Sequence, residues 1–160
     1  MSEEHVIDRI DRKILKALQR DGRMTNQRLA DEVALSPSAC LARVKRLESW
    51  GVITGYRAQV DPTRLGSCMV IFAQITLASH DPMTFRRLRE ALDKIPEALE
   101  AYQVSGDYDF LVRFLVTDMN EWADLSAQLT GAEIGVTTIK TMVSMRVLKG
   151  WAGVPVEPAT

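Results

Sequence analysis

The sequence has too few cysteines for a disulfide-stabilised protein, and its hydrophobic runs are too short for a membrane protein. Cys40 and Cys68 are the two cysteines in 160 residues, which excludes a disulfide framework, and no Cys-x-x-Cys or His-rich spacing indicates a zinc site. The longest apolar runs, such as Val70-Ile71-Phe72-Ala73, are far shorter than the about 20 residues of a transmembrane helix. We therefore expect no metal, no membrane association and no secreted, disulfide-stabilised fold.

The sequence also lacks an export signal and the motifs of an enzyme. Met1-Ser2-Glu3-Glu4-His5 is acidic and has neither the basic nor the apolar region of a signal peptide, so we expect a cytoplasmic protein. Besides His5 there is one other histidine, His80. No paired acid and base, nucleophile or glycine-rich phosphate loop accompanies them. We expect no catalytic residues and no cofactor.

The net charge is close to zero but unevenly distributed. Lys and Arg total 20 and Asp and Glu total 21, a net charge of −1. Residues 1–62 carry 11 basic and 9 acidic side chains, whereas residues 63–160 carry 9 and 12. A polyanionic partner would therefore bind the first third of the chain.

The first third of the chain predicts three short helices. Apolar residues recur at helical spacing across residues 8–20, and Thr25 can cap a second, shorter helix. Ser36 suits the N-cap of a third helix because its hydroxyl can accept a backbone N–H, and Pro37 suits the next position because it has no N–H to leave unpaired. Gly51 is suited to the left-handed position that ends this helix.

The third predicted helix has an apolar face opposite a small, polar and basic one. Cys40, Val44 and Leu47 recur at i, i+4 and i+7 and should pack inward. The opposite face comprises Ser38, Ala42, Lys45 and Ser49, flanked by Ala39, Arg43 and Arg46. Small residues let a helix approach a duplex, and basic ones can reach phosphates or guanine edges. The pattern is typical of a helix-turn-helix, and equally of a three-helix scaffold with a solvated basic face.

The rest of the chain alternates strands and helices. The pattern predicts strands at residues 68–77, 99–105, 109–116 and 137–148, and helices at 82–95 and 119–129. This order is a split βαβ arrangement, an antiparallel sheet with helices on one face. The predicted fold class is α+β: a helix-turn-helix at residues 1–54, a linker at 55–67, a βαββαβ domain at 68–150 and a loose tail at 151–160.

A sheet that is covered by helices on one side leaves its other face without a partner. The high density of apolar residues in the first and last strands favours burial of both faces. The same sheet of a second chain would cover the free face, which predicts a symmetric homodimer. Its two helix-turn-helix heads would read a near-palindromic site.

Several short motifs follow one another along nearly the whole chain. In the first third they are residues 7–15, 35–40, 43–48 and 51–56. In the second part they are Val104-Ser105-Gly106-Asp107-Tyr108-Asp109-Phe110-Leu111 and Val116-Thr117-Asp118-Met119. Together they resemble the Lrp/AsnC, or feast/famine, transcription factors. The resemblance implies a winged-type helix-turn-helix, an ACT-like effector domain (RAM), dimers that assemble further, commonly to octamers, and a small-molecule effector, usually an amino acid.

The resemblance and the basic face together give the residues expected at double-stranded DNA. They are Ser36, Ser38, Ala39, Arg43 and Arg46 at the third helix, with Arg23, Thr25 and Asn26 at the DNA backbone beside the second helix. Many relatives carry a basic residue where this chain has Ala42. One phosphate or base contact is therefore missing, and no relative's operator sequence transfers to this chain.

Gly106-Asp107 is first of all a hairpin turn signal, and the resemblance implies that the loop around it binds the effector, facing a neighbouring dimer. For an amino acid, Asp109 would bind the ammonium, and the backbone of Ser105, Gly106, Asp107 and Tyr108 would bind the carboxylate. By position, the side-chain pocket would be lined by Gln103, Met119, Met142, Val143 and Ser144. The two methionines fit a gap-filling role in the core equally well.

A second function fits part of the sequence. The effector-type domain alone is compatible with an amino-acid-binding regulatory module of a metabolic enzyme that does not bind DNA. The first 50 residues, with the capped helix after Ser36-Pro37, separate the two interpretations because such a module would not need them.

Overall fold

The computed structural model describes residues 6–66, 68–131 and 133–157, which form two compact units. Unit 1 contains the chain up to Gln59 together with the segment from Lys149 onward, and unit 2 runs from Val60 to Leu148. The chain therefore returns to unit 1 at its C-terminal end, which the sequence did not predict.

Unit 1 is built on three helices whose starts are capped as the sequence predicts. The helices are α1 (Arg9–Arg20), α2 (Asn26–Val33) and α3 (Pro37–Ser49). The Thr25 side chain accepts the N–H of Arg28, and the Ser36 hydroxyl accepts the N–H of Ala39. Each bond satisfies a backbone donor that a first helical turn leaves free. Residues 54–61, which include the start of the predicted linker, form neither a helix nor a strand.

The three helices share one apolar core. Ile14 of α1, Leu29 of α2 and Leu47 of α3 are buried in it, and so is Cys40. Burial raises the pKa of the Cys40 thiol because the thiolate would lose its hydration. Cys40 is therefore an inert core residue, as its place on the inward face of the helix predicts.

The turn between α2 and α3 contains one residue in a strained conformation. Ala34 has φ +57° and ψ +50°, in the left-handed region, which costs a residue with a Cβ about 1–2 kcal/mol. This conformation reverses the chain so that the Leu35 N–H donates to the Ala30 carbonyl at 2.9 Å. The resulting tight turn packs α3 against α2, as in a helix-turn-helix.

The C-terminal segment, expected to be loose, is hydrogen-bonded to α1. Gln19 binds the Val154 backbone twice, with Nε2 donating to the carbonyl at 3.1 Å and Oε1 accepting the N–H at 2.6 Å. Arg12 Nη1 donates to the Val156 carbonyl at 2.5 Å. For residues 151–157 these bonds correct the expectation, because a segment without periodicity is still held when side chains satisfy its backbone groups. Residues 158–160 of the expected tail lie outside the described residues.

Unit 2 has the predicted order of strands and helices. After a short 3₁₀ helix (Pro62–Arg64) its elements are β1 (Met69–Leu77), α4 (Pro82–Leu92), β2 (Ala98–Gln103), β3 (Phe110–Val116), α5 (Met119–Leu129) and β4 (Val136–Val143). The strands form one antiparallel sheet in the order β2-β3-β1-β4. The α+β fold class is confirmed. The last strand ends at Val143, before its predicted end at residue 148; in its register Met69, the first residue of β1, stands opposite residue 145, so β1 has no strand residue to pair beyond that position.

Helices α4 and α5 pack on one face of the sheet. Ile71, Ala73 and Ile75 of β1 are fully buried on that face. Trp122 of α5 packs on Phe114 of β3, with ring centroids 5.0 Å apart. These contacts place the core of unit 2 between the sheet and its two helices.

The other face of the sheet, called the open face here, has no covering helix among the described residues. Alternate strand residues point to it, and they are less buried than their neighbours on the helix side. Val70, Phe72, Leu111, Leu115 and Met142 give it apolar area, and Gln74, Arg113 and Lys140 lie among them. The structure thus leaves exposed the face that the sequence predicts to be covered by a second chain.

Candidate nucleic-acid interface and effector site

Three residues predicted at DNA shape the turn that presents α3. Asn26 Nδ2 donates to the Pro37 carbonyl at 2.8 Å, which ties α2 to the first turn of α3. Thr25 and Ser36 cap the two helices and remain exposed. The Ser36 and Ser38 hydroxyls lie 3.2 Å apart. The sequence therefore presents α3 from a hydrogen-bonded turn.

The exposed side of α3 consists of Ser38, Ala42, Lys45 and Ser49, and we call it the α3 face. All four are exposed, as the helical spacing predicts, and Ala39 is half-buried at the edge. Lys45 has no hydrogen-bond or ion-pair partner among the described residues. Short side chains let a helix enter a groove, and a free ammonium beyond them can reach a phosphate.

Arg43 and Arg46, expected to reach DNA from the flanks of the α3 face, are directed at α1. Arg43 Nη1 lies 2.6 Å from Asp8 Oδ2 and 2.9 Å from Asp11 Oδ1. Arg46 Nη2 lies 3.0 Å from both carboxylate oxygens of Asp11. Asp11 is 0% exposed, so withdrawing these guanidiniums would leave a buried charge unpaired, which is strongly destabilising. This corrects their expected role, because they join α3 to α1.

The sequence contains a signal for this network that the analysis of α3 alone missed. Asp8 and Asp11 are spaced by three on α1, and Arg43 and Arg46 are spaced by three on α3, so each pair lies on one helix face. The Asp11 N–H and the Arg43 guanidinium hold the pKa of the Asp8 carboxyl below its usual value.

Arg46 also lies over the Trp50 ring, 4.8 Å from its centroid.

Arg23 is the remaining residue predicted at DNA. It precedes α2 and is exposed, and its backbone N–H donates to Asp21 Oδ1 at 3.0 Å. Its guanidinium has no partner in the part of the chain that the structure describes. Arg23 is therefore free to contact a phosphate.

The predicted hairpin loop lies between β2 and β3. Its residues Ser105–Tyr108 are closed by a bond from the Val104 N–H to the Asp109 carbonyl at 2.9 Å. Gly106 has φ +134°, a region that favours glycine, and faces open space. The loop thus exposes backbone groups that a ligand can approach.

Asp109, expected to bind an effector ammonium, already has two partners within the chain. Its Oδ2 accepts the Leu77 N–H at 2.8 Å, and its Oδ1 lies 2.6 Å from His80 Nε2. The Leu77 N–H, with a smaller contribution from His80, holds the pKa of Asp109 below its usual value. Asp109 therefore ties the loop to β1 and to the turn before α4, and its binding of an effector ammonium stays a prediction. No sequence signal links His80 to Asp109, since the two lie 29 residues apart.

The other predicted effector residues lie at opposite ends of the sheet. Gln103 lies beside the loop, at the end where β1 finishes. Met119, Val143 and Ser144 lie at the end where β1 begins. The length of β1 between Ile71 and Leu77, about 20 Å at about 3.3 Å per residue, separates the two groups. One chain alone therefore does not gather all the predicted effector residues into one pocket.

The two methionines of this set are surface residues. Met119 is 47% exposed at the start of α5, and Met142 is 40% exposed on the open face, where Gln74 Nε2 lies 3.8 Å from its sulfur. Neither methionine fills a gap in the core, so the structure does not support the gap-filling role that the sequence left open for them. Exposed, adaptable methionines are typical of binding surfaces.

No group of three or more His, Cys, Asp or Glu side chains among the described residues is arranged to hold a metal ion. In the same part of the chain, no helix has the length and apolar character needed to cross a membrane.

Two family models match the chain, one for each part. Residues 7–54 match a winged helix-turn-helix DNA-binding family, and residues 70–151 match the Lrp/AsnC ligand binding domain. Together they cover both the α3 face and the candidate effector residues. The chain is therefore similar to known families along most of its length.

Individual relatives agree with the family models. The leucine-responsive regulatory protein of Escherichia coli K12 is 41% identical over 143 residues, 89% of this chain and 87% of the relative. A transcriptional regulator from Neisseria meningitidis, solved as a complex with L-methionine, has a TM-score of 0.88 and 29% identity, covering 94% and 97% of the two chains. An AsnC-family regulator from Agrobacterium tumefaciens has a TM-score of 0.85 and 33% identity, covering 93% and 97%.

Proposed function

Because this chain belongs to the Lrp/AsnC family of transcriptional regulators, we propose that the α3 face reads DNA and that an amino-acid effector binds where two chains meet. The protein is a DNA-binding regulator and not an enzyme. We assign DNA binding to residues 1–54 and effector binding to residues 68–150, joined by the linker at 55–67. A regulator of this kind works beside the chromosome, so we place it in the cytoplasm.

The observation that carries the DNA proposal is the exposed α3 face, held between a capped start and the ion pairs to α1. Ser38 and Ala42 let the helix approach base edges, and Lys45 supplies the cation. Arg23 is expected to contact the phosphate backbone. Two such heads in a symmetric dimer would read half-sites about 34 Å apart, one turn of the duplex.

Binding to a duplex from the region upstream of the protein's own gene tests this surface. We expect Lys45→Gln to lower the affinity and to reduce the salt dependence by about one phosphate contact. Ala42→Glu should abolish binding because it places a carboxylate against the groove. Arg86→Gln, an exposed change on α4, is the control. Unchanged affinity and salt slope in both α3 variants would exclude the α3 face.

The effector proposal rests on the separation of the two groups of candidate residues. The exposed loop at residues 105–108 and the exposed Met119 and Met142 lie too far apart in one chain to share a ligand. We propose that the loop of one chain and the methionine-bearing sheet end of another form the pocket. The loop backbone would bind the carboxylate. The ammonium would compete with His80 for Asp109 or bind a residue of the second chain.

The amino-acid effector is proposed to carry an apolar side chain. The E. coli relative is named for its response to leucine, and the N. meningitidis regulator is solved with L-methionine. Met119, Met142 and Val143 would supply an apolar wall for such a side chain.

Calorimetry with the twenty amino acids tests the effector proposal. We expect heat of binding with leucine or methionine and none with aspartate or lysine. Gly106→Val should abolish the heat because a β-branched residue does not adopt φ +134° without strain. Gly150→Val, at a glycine without a positive φ and with open space around it, is the control. Absence of heat with every amino acid would overturn the proposal.

We also propose that the open face is covered by a second copy of unit 2. Phe72, Leu111 and Leu115 are half-buried there, and a partner sheet would remove them from water. Dimers formed in this way would assemble further, up to an octamer, to bring the two parts of the effector pocket together.

A further inference from the structure

The free positive charge of unit 1 is concentrated on α1 rather than on α3. Among the described residues, six Lys or Arg side chains up to Gln59 have no hydrogen-bond or ion-pair partner: Arg9, Lys13, Lys16, Arg23, Lys45 and Arg57. Three of the six lie on α1, at positions i, i+4 and i+7. We call Arg9, Lys13 and Lys16 the α1 stripe. All three are exposed.

The contacts of α1 settle which way the stripe points. Asp11 faces α3 through its ion pairs, Ile14 faces the core, and Gln19 holds the C-terminal segment. The stripe occupies the remaining side of the helix, since successive residues of a helix are turned by about 100°. The α1 stripe therefore points away from α3.

No carboxylate among the described residues neutralises the stripe. Both acidic residues beside it on α1, Asp8 and Asp11, are engaged by α3, and Glu32 of α2 pairs with Arg20 at 2.7 Å. Like charges at i, i+3 and i, i+4 destabilise a helix. The helix would be more stable without this repulsion. A polyanionic partner bound to the stripe would relieve it.

The spacing of the stripe matches a DNA strand. Seven residues of helix span about 10 Å, and one strand of a duplex carries a phosphate about every 3.4 Å along its axis. Three cations over about 10 Å can therefore meet about three successive phosphates. An acidic peptide has no such fixed spacing, and the DNA-binding role of the same unit already brings a duplex close to it.

We propose that Arg9, Lys13 and Lys16 form a second DNA contact, made with the backbone of duplex outside the half-site that α3 reads. This proposal rests on the proposed role of the α3 face. Because the two surfaces lie on different sides of unit 1, they contact different segments of the duplex. The second contact carries no sequence information, since it meets phosphates only. The flanking duplex has to curve to reach it, and bending a duplex costs free energy that the phosphate contacts must exceed.

The test compares duplex lengths at several salt concentrations. The full-length protein is titrated with mixed-sequence duplexes of about 20 and about 60 base pairs, and the ratio of the two affinities is followed between 50 and 200 mM salt. Three phosphate contacts that only the long duplex makes steepen the slope of log K against log salt by about 2.7. For the wild-type chain, this ratio should therefore fall about 40-fold over that range.

The variant R9Q/K13Q/K16Q should lose this salt dependence of the ratio and bind the short duplex as the wild type does. Glutamine keeps the helix propensity, and thermal melting should show a stability equal to or slightly above that of the wild type. R86Q/R87Q/K94Q removes the same charge from exposed positions in unit 2 and should behave as the wild type.

Three results would overturn the proposal. A triple variant that keeps the wild-type ratio shows that the stripe does not touch DNA. An equal loss of affinity for the short and the long duplex places the stripe inside the site that α3 reads. Displacement of the long duplex by poly-glutamate from the wild type, but not from the triple variant, assigns the stripe to an acidic polypeptide. If Lys45→Gln and Ala42→Glu both bind as the wild type does while the triple variant behaves as predicted, the stripe still contacts DNA, but the α3 proposal fails, and with it the placement of the stripe outside a half-site read by α3.

Discussion

Asp11 determines what the two arginines of α3 do. A carboxylate at 0% exposure is stable only when it is paired, and Arg43 and Arg46 are the cations within reach. A search for basic residues on α3 assigns both to DNA, because an exposed arginine and one that is turned toward a neighbouring helix look alike in sequence. The burial of one acidic residue on another helix decides between these roles.

Removing the charge of Asp11 should therefore destabilise unit 1. We expect Asp11→Asn to lower the free energy of unfolding by about 2 kcal/mol, which is typical of a lost hydrogen bond to a charged group. The loss is not larger because the two arginines remain partly solvated. Urea denaturation followed by circular dichroism measures this. Asp31→Asn, at an exposed position of α2, should change stability by less than about 0.5 kcal/mol. Equal stability of both variants would contradict a structural role for the network.

The helix-turn-helix shows how an element can depend on one backbone conformation. α2 and α3 are each capped at the N-terminus, as their sequences predict. The angle between them depends on the left-handed Ala34, where a glycine would be free of strain. The chain accepts this strain because the Leu35 N–H and the Asn26 side chain complete the turn.

Replacing Ala34 with glycine should relieve the strain. We expect Ala34→Gly to stabilise the protein by about 0.5–1 kcal/mol, since the relief of about 1–2 kcal/mol exceeds the entropy cost of glycine of about 0.5–1 kcal/mol. Thermal denaturation measures the change as a rise in Tm. The matched control is Ala42→Gly on the exposed side of α3, which should cost about 1 kcal/mol. A fall in Tm for Ala34→Gly would show that Ala34 is not strained.

For the whole molecule, the open face is the largest feature that a single chain leaves incomplete. Its apolar residues, with Arg113, Gln74 and Lys140 among them, lie on the side of the sheet opposite α4 and α5. In our proposal, a second copy of the same sheet covers this face and brings the separate effector residues close to those of another chain. The proposal therefore links oligomeric state to effector binding.

A charge in the centre of the open face should separate the chains. We expect Leu111→Asp to shift the protein to monomers in sedimentation velocity, because a carboxylate buried between two sheets is strongly disfavoured. Loss of amino-acid binding should accompany the shift. Ala123→Asp adds the same charge at an exposed position of α5 and should leave the oligomer intact. A Leu111→Asp protein of wild-type size would exclude this face as the interface.

The local sequence was sufficient for the elements and for the side of α3 that is exposed. Ser36 and Pro37 predict the start of α3, and the spacing of Cys40, Val44 and Leu47 predicts which side faces the core. β1 and β3 were predicted within two residues because their β-prone runs end at turns. The exposed α3 face follows from that spacing, since helical geometry is local.

Only the tertiary structure decided which partners the polar groups of distant elements take. Asp11 with Arg43, Asp109 with His80, and Gln19 with Val154 are each brought together by folding. The spacing by three of Asp8 and Asp11 and of Arg43 and Arg46 is compatible with the first pairing, but no sequence signal specifies any of the three, because an ion pair or hydrogen bond depends on distance in space. The amino-acid sequence determined the helices, the strands and the family. The packing of those elements engages Arg43 and Arg46 with α1 and leaves Arg23, Lys45 and the α1 stripe as unpaired cations that can meet DNA.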